Sequence, residues 1–242
     1  MAKTSPLLRA AQGGKTKRVR TLLGRHSPTA TDEYANTALH LAAAGGHTGC
    51  VSVLLGSAEC DLHAANAAGL TPLHVAAAYG HAGVVEALLG AEDDVHPDAE
   101  SPDGLTPLLL AADGGHADVV ALLLEFGGDP DGAVAGGRSA LHYAAARGHI
   151  DVIALLLSEG ADPGVVTQGG ESVADVAASD AVRRCLGAPR GGEAGGRGGG
   201  VGRGEDDGCV EALMAFLPPA DEIYVPKKAR RRRKKGGGAK RR

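Results

Sequence analysis

One string of residues recurs along the chain and limits the folds that the chain can adopt. It reads TALHLAAAGGH at 37–47, TPLHVAAAYGH at 71–81, TPLLLAADGGH at 106–116 and SALHYAAARGH at 139–149. A weaker copy, SPLLRAAQGGK, lies at 5–15, and a degraded copy, SVADVAAS, begins at Ser172. Successive copies start 32 to 35 residues apart, a period that indicates a stack of small, similar structural units.

A second, apolar string follows each of the first five copies at a fixed offset. It reads VRTLL (19–23), VSVLL (51–55), VEALL (85–89), VALLL (120–124) and IALLL (153–157). In the first string, Thr or Ser can cap a helix, Pro is tolerated in the first helical turn, and the closing Gly favours a turn. The second string places apolar groups on one face of a second helix. Each unit is therefore predicted to be a helix–turn–helix that buries its apolar face only by stacking.

These strings, together with the sequence Gly-Ala-Asp-Pro at 160–163 and the related sequence at 127–130, resemble the ankyrin repeat family. The resemblance covers about residues 4–186 and defines a predicted repeat domain at 1–186. It implies an all-α repeat solenoid in which β-hairpin fingers join stacked helix pairs. We expect repeats near 4–36, 37–70, 71–105, 106–138 and 139–171, followed by a short cap at 172–186.

Three repeats depart from the family pattern. In the first repeat, Leu8 and Lys15 occupy the positions of the two recurring histidines, as suits an N-terminal cap. In the fourth repeat, Leu109 replaces the first histidine. The third finger, residues 91–105, is about two residues longer than the others, so its tip is expected to protrude or fray.

Residues that suggest catalysis or metal binding are explained by the repeat register. Seven of the ten histidines recur at repeat positions and are expected to bond the backbone, while His26, His63 and His96 are too far apart in sequence to suggest a ligand set. Residues 13–16 resemble the end of a phosphate-binding loop, but Arg9 stands where that motif needs Gly. The acidic clusters lack EF-hand spacing. We therefore expect a protein that is not an enzyme, with no catalytic site, metal, cofactor or small-molecule substrate.

The resemblance implies protein binding on the concave side of the stack, through the finger tips and the inner helices. Carried over by position, the candidate contact residues are Tyr34, Asn36, Leu70, Tyr79, Asp103, Leu105, Asp113, Arg138 and Arg147. The two tyrosines and the two leucines are the expected anchors, because aromatic and large apolar groups dominate interface energetics. The alternative interpretation is a surface that is only solvated, because small residues dominate it.

Charge is strongly segregated along the chain, although the whole-chain net charge is only −4. Residues 1–25 carry seven basic and no acidic groups, residues 26–182 carry two basic and 22 acidic groups, and residues 227–242 carry eleven basic and no acidic groups. Blocks of one sign favour partners of the other sign, so we expect a basic protein partner for the repeats. No apolar run is long enough to span a membrane, and no secretion signal is visible, so no membrane association is expected.

The composition changes after Leu186. Residues 187–204 contain ten Gly and predict a flexible linker. Residues 205–219 include a stretch, 206–217, whose apolar side chains have helical spacing. The two interpretations are a short amphipathic helix that docks on a groove of a partner protein and a mostly disordered tail. The apolar positions are Val210, Leu213, Met214 and Leu217. Residues 220–242 are expected to be a disordered basic tail.

A dense basic run near the C-terminus predicts nuclear import through importin. The run comprises Lys227, Lys228, Arg230, Arg231, Arg232, Arg233, Lys234 and Lys235. Two alternatives stay open: contact with nucleic-acid phosphates, and folding of the tail back onto the acidic repeats as an internal mask. Nucleic acid is expected to bind only through this tail.

The sequence therefore favours a non-enzymatic scaffold or adaptor for protein–protein interaction, located in the nucleus, with the cytoplasm as the alternative location. The alternative function is a nucleic-acid-associated protein whose Arg/Gly-rich and basic tail contacts RNA or DNA while the repeats recruit other proteins. A role as substrate receptor of a ubiquitin ligase or as a proteasome chaperone rests on analogy with the family alone.

Overall fold

The computed structural model describes residues 5–91 and 95–187. The predicted short helix at 205–219 and the basic tail at 220–242 lie outside the described residues, as do nearly all of the predicted linker and residues 92–94 of the third finger. Within the described ranges the helices are α1 (Pro6–Gln12), α2 (Thr16–Leu23), α3 (Ala38–Ala44), α4 (Thr48–Leu55), α5 (Pro72–Ala78), α6 (Ala82–Leu89), α7 (Pro107–Gly114), α8 (Ala117–Glu125), α9 (Ala140–Arg147), α10 (Ile150–Ser158) and α11 (Asp180–Cys185).

The helices form two layers, as the repeated strings predict. The inner layer contains α1, α3, α5, α7 and α9, and the outer layer contains α2, α4, α6, α8 and α10. Each inner helix packs on the inner helices before and after it and on the outer helix of its own repeat, and α11 packs on α10. The all-α repeat solenoid expected from the sequence is confirmed.

Alanine pairs allow the inner helices to approach one another closely. Ala42 and Ala43 in α3 and Ala76 and Ala77 in α5 have no exposed surface. The same holds for the pairs in α7 and α9. Because a small side chain keeps two helix axes near the short end of the usual 8–10 Å range, these short helices share one continuous core. Leucines from the outer helices complete it.

The first recurring histidine joins the start of an inner helix to the next finger. In α5 the Thr71 backbone N–H and hydroxyl both approach His74 Nδ1, at 3.3 and 2.8 Å. On the other side of the ring, Nε2 donates to the Leu105 carbonyl at 3.0 Å. His40 makes the same bond to the Leu70 carbonyl at 2.9 Å. The predicted backbone bonding of these histidines is thus observed within and between repeats.

The second recurring histidine joins each repeat to the one before it. His116 Nε2 donates to the Ala78 carbonyl at the end of α5, over 3.1 Å, and its ring packs against Gly80. Gly80 has φ +70°, and a Cβ there would lie 2.5 Å from His116 Nδ1. The turn therefore requires Gly both for its left-handed backbone and for the space that the ring occupies.

The fingers are tight turns in which pairing between β-strands is minimal. In the described residues, β-pairing is limited to isolated antiparallel bridges, Ala133 with Ser139 and Val166 with Ser172. Side chains close several turns instead: Asn66 Oδ1 accepts the N–H of Ala68 and of Leu70, both at 3.0 Å. These turns are the hairpin fingers in their shortest form. One pair of residues facing each other across the turn is enough to lead the chain into the next inner helix.

The degraded sixth copy does not form an inner helix. Ser172 and Asp175 make a local turn in which the Asp175 carboxylate accepts from the Ser172 N–H and hydroxyl, at 2.9 and 2.7 Å. The Ala178 N–H then donates to the Ala145 carbonyl of α9 at 2.9 Å. This segment and α11 follow the last full repeat, and α11 packs on α10.

Candidate protein-interaction surface

The finger tips and the C-terminal ends of the inner helices form the surface on which the sequence predicts partner binding. We call this the inner surface: Glu33 to Asn36, Ala67 to Leu70, Pro102 to Leu105, Ala135 to Arg138 and Gln168 to Glu171 in the fingers, with Ala44, Gly45, Ala78, Tyr79, Asp113, Gly114, Ala146 and Arg147 at the helix ends. The register of the stack places equivalent residues of neighbouring repeats side by side.

Tyr34 and Asp103 are exposed at the finger tips. Tyr34 is 43% exposed. Its backbone is well held, because its N–H donates to Asp32 Oδ1 at 2.9 Å and its carbonyl accepts from the Ala67 N–H at 2.9 Å. A fixed backbone carrying an exposed aromatic ring is suited to contact with a partner.

Tyr79 follows α5, and its ring stacks on the ring of His81. The centroids of the two rings are 6.2 Å apart, with an angle of 23° between their planes. The neighbouring repeats have Gly45 and Gly114 at this position, so the tyrosine is the bulkiest group in its row. Partial burial raises the pKa of Tyr79, so its hydroxyl stays protonated and can donate a hydrogen bond.

Asp113 and Arg147 form one ion pair rather than two separate charges. Arg147 Nε donates to Asp113 Oδ1 at 2.8 Å and its Nη2 donates to Oδ2 at 3.3 Å. The Asp113 carbonyl also accepts from His149 Nε2 at 2.9 Å. The pair joins the ends of α7 and α9 across two repeats. Because the two charges largely cancel, the pair adds little net charge to the inner surface.

Leu70 and Leu105 are wrongly predicted as partner anchors. Their exposed fractions are 0% and 1%. Each lies just before an inner helix, where its carbonyl accepts from the histidine of the preceding repeat and its side chain enters the core. Although both residues belong to the fingers, the turn directs its last residue inward.

Asn36 and Arg138 are also buried, and each contacts the neighbouring finger. Asn36 has no exposed surface, and its Oδ1 accepts from Asn66 Nδ2 of the next finger at 3.0 Å. Arg138 is 9% exposed, and its Nη2 lies 3.5 Å from Glu171 Oε2. Both residues hold neighbouring fingers together, so neither is available as a primary contact group. Of the predicted contact residues, those that remain accessible to a partner are Tyr34, Tyr79, Asp103 and the part of the Arg147 side chain that does not contact Asp113.

Most exposed acids of the repeats lie away from the inner surface, a placement that the sequence did not indicate. They lie on the outer helices and in the loops that lead from each outer helix to the next finger: Glu59, Asp61, Glu86, Glu100, Asp118, Glu125, Asp129, Asp151, Glu159 and Asp162. Some acids in these loops are structural: Asp98 accepts from the Asp129 N–H through both oxygens, and Asp131 accepts from the Asp162 N–H. A recurring spacing of 31 residues is the signal that could have predicted these bonds.

The buried histidines are neutral groups of the framework. Burial lowers the pKa of His74 to about 4, and it also lowers the pKa of His40 and His142. Each of these rings is occupied on both nitrogens, which leaves none to abstract a proton from a substrate. Within residues 5–91 and 95–187, no three His, Cys, Asp or Glu side chains are arranged to hold a metal ion, and no helix is long and apolar enough to cross a membrane.

An exposed strip of side chains on a rigid stack of helix pairs defines a scaffold for protein–protein interaction. The comparisons with known proteins agree. The family model for ankyrin repeats (three copies) matches residues 7–99 and 93–167, so the chain belongs to the ankyrin repeat family.

A solved structure gives the same fold. The chain is similar to the crystal structure of the ankyrin repeat domain of Bcl-3, described as a unique member of the IkappaB protein family. The two are 26% identical, and the match covers 78% of this chain and 100% of that chain with a TM-score of 0.61. No curated protein sequence matches this chain.

Proposed function

We propose that this protein is a nuclear adaptor that binds a basic protein partner on its inner surface. The charge balance of the repeats carries this proposal. Residues 26–182 contain 22 acidic groups and only two basic groups, Arg138 and Arg147. Both arginines are paired with acids, Glu171 and Asp113. A stack with this excess of acids creates a negative potential that attracts a basic chain and repels an acidic one.

Tyr34 and Asp103 supply the local contacts in this proposal. The exposed Tyr34 ring on its fixed backbone can cover the aliphatic stem of one Lys or Arg, and the Asp103 carboxylate, two fingers further along the stack, can accept the charged head of another. The acids of the outer helices and loops contribute through the longer-range field, which steers the partner and weakens as salt is raised. The similarity to an ankyrin repeat domain of the IkappaB family supports the scaffold role, and the basic run at 227–235 supports the nuclear location.

The binding claim is tested by affinity capture with the full chain, followed by mass spectrometry. The test variant is the double substitution Tyr34→Ala with Asp103→Lys. Its matched control is Asp151→Lys, which changes an exposed acid on the outer helix α10. We expect basic proteins to be captured by the wild type and the control, with about tenfold weaker capture by the test variant. Equal capture by all three chains would refute binding on the inner surface.

The location claim is tested by deleting residues 227–242 from a fluorescent fusion of the full chain. Loss of nuclear accumulation is the expected result, and unchanged accumulation would contradict it. The same deletion also examines nucleic-acid binding by the tail. RNA or DNA retained by the full chain at physiological salt, and released on deletion, would favour the alternative function.

A further inference from the structure

A groove between the outer helices of the first two repeats is a feature that the proposed function does not use. It has a volume of about 680 Å³ and lies between α2 and α4. Its lining consists of Thr16, Arg20, Leu23, Gly49, Ser52, Val53, Gly56 and Ser57. Leu23 and Val53 give it an apolar part, and hydroxyl groups and one guanidinium surround that part.

The groove exists because the outward positions of α4 have almost no side chain. Gly49, Ser52 and Gly56 occupy the second and fifth positions of α4 and the residue that follows the helix. At the equivalent positions each later outer helix carries at least one acid: Glu86 at α6, with Gly83 and Gly90; Asp118 and Glu125 in α8, with Ala121; and Asp151 in α10, with Ala154 and Ser158. The helix α4 therefore presents an uncharged hollow to its neighbour.

The other wall of the groove is formed by α2, a basic helix from which Arg20 lines the groove. Lys17, Arg18 and Arg20 are exposed on α2, and Arg25 is exposed just after it. The sequence contains no Asp or Glu before Asp32, so no acid close in the chain neutralises these groups. Along the repeats this is the one stretch with a positive excess, because residues 26–182 carry 22 acids against two bases.

We infer that the groove holds residues 206–217 of the same chain. Between residues 204 and 226 the sequence has six acidic and no basic groups, which complements the cations of α2. Four apolar side chains in this segment, Val210, Leu213, Met214 and Leu217, are spaced to form one helical face that matches the apolar part of the groove. The acids of α6, α8 and α10 would repel the same segment from the grooves between the later outer helices.

The chain is long enough for this contact. Adjacent helices in the outer layer lie about 9 Å apart, so the groove is about 40 Å from α11, where the described residues end. Residues 188–204 can extend to about 58 Å. A connection of this length gives an effective concentration of about 1 mM, so a contact with a dissociation constant of about 0.1 mM would be occupied about ten to one.

Hydrogen exchange of the full chain tests this inference through the fragment that contains residues 206–217. In 50 mM salt we expect this fragment to exchange about tenfold more slowly in the wild type than in Ser52→Trp, in which an indole fills the groove. The matched control is Ala121→Trp, because Ala121 is exposed at the same position of α8. The control should keep the wild-type protection, and both variants leave the segment itself unchanged.

Charge and concentration complete the test. Arg20→Glu should release the segment, whereas Arg9→Glu, which lies on α1 outside the groove, should not. Protection should also fall in 500 mM salt, because exposed charges are screened. Fast exchange in the wild type, or equal protection in Ser52→Trp, would overturn the inference. Protection that disappears on dilution from 100 to 1 μM would assign the groove to a second copy and would likewise overturn it.

Discussion

Protonation of His74 is the sharpest test of the histidine bonds that hold the stack together. In the folded chain Nε2 donates to the Leu105 carbonyl, and Nδ1 receives the Thr71 N–H. The neutral ring satisfies both partners, whereas a proton on Nδ1 would face a donor. Burial is the main cause of the lowered pKa of His74, about 4 in the folded state against 6.5 for a free histidine.

The sign of the pH dependence follows from proton binding. Between pH 6.5 and about 4 the unfolded chain binds a proton at His74 and the folded chain does not, so acid favours unfolding. The contribution of His74 is complete above pH 6.5 and is lost as the pH falls below that value. The loss amounts to about 2 kcal/mol by pH 5 and about 3 kcal/mol near pH 4.

The assay is urea unfolding of the full chain, followed by circular dichroism at pH 7.5 and pH 5. His74→Gln keeps a donor for the Leu105 carbonyl but cannot titrate. We expect the drop in the free energy of unfolding between the two pH values to be about 2 kcal/mol smaller in this variant than in the wild type. Thr106→Ala is the control, because Thr106 caps α7, where Leu109 replaces the histidine, and losing this cap should cost about 1 kcal/mol at both pH values. A pH dependence of His74→Gln within 0.5 kcal/mol of wild type would refute the reasoning.

Three further predictions concern packing and charge. Gly80→Ala should lower the free energy of unfolding by about 2 kcal/mol or more, because φ is +70° and the added Cβ meets a histidine ring. Gly24→Ala is its control in the same urea assay. Because Gly24 has φ −74° and open space around it, this variant should be neutral or mildly stabilising. Ala111→Leu should cost about 1–3 kcal/mol by overpacking a site with no exposed surface, and a cost under 0.5 kcal/mol would contradict the close approach of the inner helices. A double-mutant cycle on Asp113 and Arg147 should give a coupling of only about 0.2–1 kcal/mol, since the arginine is 40% exposed, and a larger value would mean that the pair is a main link between repeats.

The helices and their order were predictable from the sequence because they depend on local chemistry. Thr37, for example, caps α3 from the position at which the repeat places it, and the Gly after each inner helix allows the turn. These effects act within four or five residues, and the repetition of the string five times removes the ambiguity of any single copy. The sixth copy shows the limit, because Ser172 begins a turn closed by Asp175 where a helix would otherwise start.

The contact surface was only partly predictable. Tyr34 and Asp103 are exposed as expected, but Leu70, Leu105 and Asn36 are buried. A position whose residue differs from repeat to repeat is not required for the hydrogen bonds that all repeats share. That difference does not indicate the direction of a side chain, which is set here by the geometry of the turn and by the next repeat.

The sequence by itself determined the repeat period, the helix pairs, the histidine positions and the separation of charge along the chain, since each can be read from neighbouring residues. Only the tertiary structure decided which side chains remain exposed. Burial, the pairing of Asp113 with Arg147 and the groove beside α4 all involve residues about 30 or more positions apart. Those contacts form when one repeat stacks on the next, and a linear pattern carries no record of which atoms the neighbouring repeat will cover.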